Sequence, residues 1–158
     1  MRDPSQWLQF HARQHPERLF LETSDGRRLS YSDMEALVRR LAGALLERQV
    51  APGDRVVAQV EKSAEAVALY LACLYVGAAF VPLNTAYTFA ELEYFLGDAA
   101  PRLAVVGPTQ REQVMSIAAG CGVKQVETLD ALARHSTAQN SVAEWEPDAL
   151  AALLYTSG

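Results

Sequence analysis

A chain of 158 residues, half of them hydrophobic, is long enough for one folded domain and can bury roughly two-thirds of its unfolded surface, which excludes more than local disorder. A formal net charge of −5, with basic doublets at Arg27–Arg28 and Arg39–Arg40, excludes a nucleic-acid surface, because that requires clustered Lys and Arg. Cys73 and Cys121 lie far apart with neither CxxC nor Cys/His spacing, so they read as reduced thiols of a cytoplasmic protein.

Met1 to Phe10 carries Asp3, Pro4 and Gln6 and lacks the uninterrupted apolar stretch of a secretory signal. The runs LFLET and RRLSY flank Ser24-Asp25-Gly26, which predicts an antiparallel hairpin, since Gly accepts the positive φ of a tight turn. Ser32-x-x-Glu35 then fits a capping box, in which hydroxyl and carboxylate satisfy the free N–H groups of a first helical turn. Behind it Met34, Leu37, Val38, Leu41 and Leu45 recur at the spacing of one helix face, while Arg39, Arg40, Glu47 and Arg48 fall elsewhere.

RVVAQV reads as a strand, and about Ala64 to Val76 as a helix that is apolar nearly all round and therefore sandwiched in the interior. The uncharged run from Ala66 to Leu83 reaches the roughly 18-residue length that flags a transmembrane helix. Gly77 terminates a helix, Pro82 breaks one, and no basic cluster flanks the run, so it is a buried helix followed by the strand AFVPL and no membrane is expected. A second box, Thr88-x-x-Glu91, opens a helix from about Phe89 to Ala99 that Pro101 stops. LAVVG is the next strand. Thr109-x-x-Glu112 opens a helix from about Pro108 to Ala119, and KQVETL follows as a strand. His135 to Asp148 is polar and aperiodic, a linker to a last strand, LAALLY. Strands alternating with helices imply an α/β fold with a mainly parallel sheet and flanking helices, preceded by an antiparallel hairpin.

The chemistry-bearing residues are few. Thr156-Ser157-Gly158 offers two hydroxyls, close backbone N–H groups and a Gly that lets a ligand approach, a combination that can form a phosphate-binding nest. Taken alone it fits a plain strand-ending turn better, and it is not a Walker A loop. Glu61, Glu91 and Glu93 suggest a carboxylate pair, but Glu91 belongs to its capping box and Glu93 to a helix surface. His11, His15 and His135 lie in polar sequence without ligand spacing, so no metal site is expected. Tyr70, Tyr75, Tyr87 and Tyr94 read mostly as core-fillers with a polar tip, and Trp7 and Trp145 as packing anchors. Asn84 to Tyr87 reads as a plain turn, although loops after strands often approach pockets.

Three ordered segments carry a resemblance. LSYSDMEALVRRLAGALLERQVAPGDRV and YLACLYVGAAFVPLN resemble the first two characteristic segments of the adenylate-forming enzymes, and LAALLYTSG resembles the opening of their third, which usually continues Thr-Thr-Gly-x-Pro-Lys-Gly. The match runs from about Leu19 to the end. Within that superfamily the stretch from Glu61 to Val106 looks most like malonyl-CoA synthetases. The resemblance implies an acid–CoA ligase using ATP, Mg2+ and CoA, which forms an acyl-adenylate and then a thioester.

It assigns Thr156, Ser157 and Gly158 to the start of the phosphate-binding loop. It assigns no catalytic or metal residue within the 158. Residues 1–158 are accordingly expected to be the N-terminal part of the large ATP- and acid-binding domain, ending inside that loop, without the C-terminal lid and inactive alone. The partners implied are malonate, CoA and the remainder of its own chain. A ligase for another acid, a carrier-loading adenylation domain and a non-catalytic α/β binding module are the alternatives.

Overall fold

A computed structural model describes residues 4–135, 137–144, 146 and 148–156. In chain order the elements are α1 (Pro4–Gln14), β1 (Leu19–Glu22), β2 (Arg28–Ser30), α2 (Tyr31–Glu47), β3 (Arg55–Gln59), α3 (Ala64–Val76), β4 (Ala79–Pro82), α4 (Phe89–Ala99), β5 (Leu103–Val106), α5 (Arg111–Gly120), β6 (Val126–Thr128) and α6 (Leu129–Ala133). β1 and β2 form the expected antiparallel hairpin, with Gly26 at φ +85° in its turn. The other strands form a parallel sheet in the order β4-β3-β5-β6.

Side chains of successive strand residues point to opposite faces, and here both faces are covered. Val56, Ala58, Leu103 and Val105 pack beneath Met34, Leu41 and Leu45 of α2, Leu69 and Cys73 of α3 and Leu132 of α6. Val57, Ala104 and Val106 face the other way, onto Leu92 and Leu96 of α4 and Val114 and Ala118 of α5. This explains why RVVAQV and LAVVG are near-continuous apolar runs without polar alternation. α3 is less enclosed than expected: Ala68, Leu69, Ala72 and Cys73 are fully buried, but Val67 and Tyr70 are exposed.

The caps correct two of the three boxes. α4 starts as expected, with Thr88 Oγ1 accepting from the Glu91 N–H and the Glu91 carboxylate accepting from the Thr88 N–H. For α2 the box is Ser30 with Asp33, two residues earlier than Ser32 with Glu35. Ser30 has the extended backbone an N-cap needs, whereas Ser32 already lies in the helix, and Glu35 pairs instead with Arg39 at 2.7 Å, one turn on. α5 has no side-chain cap: Gln110, its N-cap, sits in helical φ/ψ at the end of a turn, so Thr109 is too early to serve.

Two elements were not legible. Among the described side chains of α1, Leu8 and Ala12 are the buried ones, and α6 follows β6 without a break. LAALLY is not a full strand. It touches the sheet through one parallel bridge, Ala152 to Phe80, with the Phe80 N–H donating to the Ala151 carbonyl and the Leu153 N–H to the Phe80 carbonyl, both at 3.0 Å. The polar stretch before it is no free linker. The Gln139 N–H bonds the Arg39 carbonyl of α2, and the Ala143 N–H bonds the Tyr75 carbonyl of α3.

Candidate functional site

In an open parallel sheet, ligands bind beyond the carboxyl ends of the strands, where backbone ends and loops converge. Here those ends carry residues 60–63 after β3, 83–88 after β4 and 107–110 after β5, with segment 150–156 alongside β4. Gln59, the last residue of β3, is the buried polar side chain of this region, 1% exposed. Its amide donates to the Asn84 carbonyl at 2.9 Å and the Tyr87 carbonyl at 3.3 Å. Asn84 Oδ1 in turn accepts from the Ala86 N–H at 2.9 Å. The segment Asn84–Tyr87 is therefore a pinned loop, held from below by a residue that the sequence reading passed over. A Gln closing a run buried on both faces was the available signal.

Segment 150–156 leaves the sheet edge after Leu153 and crosses α4. The Tyr155 ring lies 4.5 Å from that of Phe95, which lies 4.9 Å from Tyr87. The Tyr155 hydroxyl donates to Asp98 Oδ2 at 2.6 Å. Burial, then the hydrogen bond to Asp98 and its charge, push the Tyr155 hydroxyl up to about 12, so it stays a proton donor at neutral pH. Thr156 follows, exposed to solvent. Ser157 and Gly158, the other two residues singled out by sequence, lie outside the described residues.

On the α3 side of β4 an apolar groove of about 690 Å3 is lined by Leu21, Val60, Val67, Tyr70 and Phe80, with Lys62 at its rim. The remaining candidates separate. Glu61 and Glu93 are exposed and Glu91 is held in its box, so the three do not make an acid/base pair. His11 is not in polar surroundings; it is half-buried against Trp7, Phe10 and Tyr31 at ring distances of 4.7, 5.2 and 5.7 Å. His135 Nδ1 lies 3.4 Å from Glu47, and His15 is exposed. Tyr75 fills the core as expected, but Tyr94 is 66% exposed and Tyr70 is half open. Trp145 lies outside the described residues. Burial pushes the Cys73 thiol up, which leaves it unreactive. Among the described residues no group of three or more His, Cys, Asp or Glu is gathered closely enough to hold a metal ion. No helix among them is long and apolar enough to cross a membrane.

The sequence pattern of AMP-binding enzymes matches residues 8–158. The chain belongs to the AMP-binding enzyme family. Among solved members, MatB from Rhodopseudomonas palustris in its apo form is 38% identical and superposes with a TM-score of 0.90, covering 99% of this chain and 32% of MatB. MatB has also been solved with ATP bound, and that form is 39% identical over 96% of this chain.

Tyrocidine synthase 1 of Brevibacillus parabrevis is 31% identical over 155 residues, 97% of this chain and 14% of the synthase. A long-chain-fatty-acid–CoA ligase of Mycobacterium tuberculosis is 29% identical over 146 residues, 88% of this chain and 29% of the ligase. The chain thus spans a third or less of each relative. The α/β fold, its parallel four-stranded sheet and its leading hairpin are those of the matching part of MatB.

Proposed function

We propose that the intact protein is an AMP-forming acid–CoA ligase whose acid is malonate, and that residues 1–158 are the N-terminal part of its large domain, running into the phosphate-binding loop. The observation that carries this reading is the family match over residues 8–158, which extends through Thr156-Ser157-Gly158. In the reaction a carboxylate oxygen attacks the α-phosphorus of ATP and pyrophosphate leaves; the CoA thiolate then attacks the acyl carbonyl and AMP leaves. Thr156, Ser157 and Gly158 act in the first step, their hydroxyls and backbone N–H groups receiving the negative charge of the polyphosphate. Magnesium is expected to accompany ATP. The described residues gather no ligand set for it, and the roles given to these three residues do not involve it.

Support for malonate comes from the likeness of Glu61–Val106 to malonyl-CoA synthetases. A diacid site needs a cation for the second carboxylate, and a buried cation left unpaired by a monoacid costs several kcal/mol. A fatty-acid site discriminates by only about 1–3 kcal/mol per methylene. The match to tyrocidine synthase 1 favours a second reading, adenylation followed by transfer to a carrier protein. We propose a cytoplasmic location; the proposed use of ATP and CoA and the free thiols Cys73 and Cys121 support that reading.

The test is AMP release by the intact protein over a panel of carboxylic acids, with CoA present or absent. Highest kcat/KM with malonate, and release that depends on CoA, is the expected result. A preference for medium or long monoacids overturns malonate, and turnover that is indifferent to CoA overturns the CoA ligase.

A further inference from the structure

We infer that Tyr155 and Asp98 form a latch by which α4 positions Thr156, the first residue of the proposed phosphate-binding loop. This rests on the proposed role of Thr156-Ser157-Gly158 and names residues that act on it from outside the turn. The last described backbone hydrogen bond of segment 150–156 is that of the Leu153 N–H to Phe80. Among the described residues beyond it, Tyr155 is the one whose side chain anchors the segment to α4. The Tyr155 ring lies 4.5 Å from Phe95 and its hydroxyl donates to Asp98 at 2.6 Å. Phe95 and Asp98 are three residues apart in α4, which places them side by side on one helix face. The neighbours Leu154 and Thr156 are both exposed, so Tyr155 alone of the three turns inward.

α4 is a firm support. Its first turn is closed by the Thr88–Glu91 box, and Leu92, Leu96 and Ala99 are buried against the sheet. One Cα–Cα step of about 3.8 Å separates Tyr155 from Thr156, so the orientation of the Tyr155 backbone is passed directly to Thr156. Donors that stabilise developing charge work only when fixed beforehand, and misplacement by about 1 Å can cost about 100-fold in rate. Tyr155 is thus a positioning residue. Its ring and its hydroxyl both face α4.

The experiment uses ATP–pyrophosphate exchange by the intact protein carrying Tyr155→Phe, Asp98→Ala, both together, or Asp98→Asn. Each of the first two is expected to lower kcat/KM for ATP roughly tenfold, the scale of one hydrogen bond to a charged group, with KM for the acid unchanged. The double variant is expected to be no worse than the worse single one, because both remove the same bond. Asp98→Asn keeps an acceptor oxygen and is expected to restore most of the loss.

Multiplying effects in the double variant, an equal rise in KM for acid and ATP, or wild-type kinetics in Tyr155→Phe would overturn the latch. Absence of exchange in the unsubstituted protein would instead refute the proposed ligase function. The latch would then be decided by hydrogen exchange over residues 153–158. Faster exchange in Tyr155→Phe there, with residues 126–133 unchanged, supports it, and unaltered exchange refutes it.

Discussion

Gln59 shows how one residue can shape the site without facing a ligand. It lies on the sheet's last β3 position, and its amide holds two carbonyls of the loop after β4. Gln59→Leu keeps the bulk but takes the side-chain donor from both carbonyls and leaves that of Asn84 with the Tyr87 N–H, at a cost of about 1–3 kcal/mol. A lower Tm and faster hydrogen exchange over residues 84–88 are expected; an unchanged loop would show that the bonds to Gln59 do not hold it. Glu91 illustrates a titrating cap. The N–H of Thr88, then its hydroxyl, hold the Glu91 carboxyl below its ordinary 4.5. A depressed folded value means stability that is present above the unfolded value and lost as pH falls through the folded one. The Tm gap between the native protein and Glu91→Gln is therefore expected to be largest at neutral pH and to close on acidification below 4.5. A gap independent of pH would show that the carboxylate charge plays no part in the cap.

At the scale of elements, glycines report what the packing tolerates. Gly77 ends α3 at φ +75°, and a Cβ there would meet the Pro52 and Ala143 Cβ atoms at 3.1 and 3.3 Å. Gly77→Ala combines the left-handed penalty of about 1–2 kcal/mol with that crowding. Gly97, inside α4, would meet nothing within 4 Å, and Gly97→Ala is expected to stabilise by about 0.5–1 kcal/mol. Denaturant melts of the two variants measure both, and a loss of stability in Gly97→Ala would contradict the open surface at that position. The same scale shows what sequence conveys. Thr88–Glu91 was legible because both box partners are the usual types. Ser30–Asp33 was missed because Asp replaced Glu at the third position, and Ser32–Glu35 offered a decoy two residues on. α1 escaped notice because Leu8 and Ala12, the buried ones among its described side chains, leave little periodic signal.

For the molecule as a whole, the α/β class and the leading hairpin were legible because strands such as RVVAQV and LAVVG are buried on both faces and separated by helix-length periodic segments. The candidate site was legible only through resemblance. Its parts, Gln59, the loop from Asn84, α4 and the end of the segment beside β4, are brought together by folding from positions up to 97 residues apart, and no local pattern marks them. Three residues, Thr156-Ser157-Gly158, carry the proposed chemistry, and a short hydroxyl-rich turn has too many other uses to identify itself.

The most direct test of that role is acid-dependent ATP–pyrophosphate exchange by the intact protein, native and with Thr156→Ala or Ser157→Ala. Exchange that requires malonate, and that falls by about 100- to 1,000-fold when one phosphate-facing donor is removed while the fold and the KM for malonate persist, is the predicted result. No acid-dependent exchange in the native protein, or variants within about twofold of it, would contradict the account.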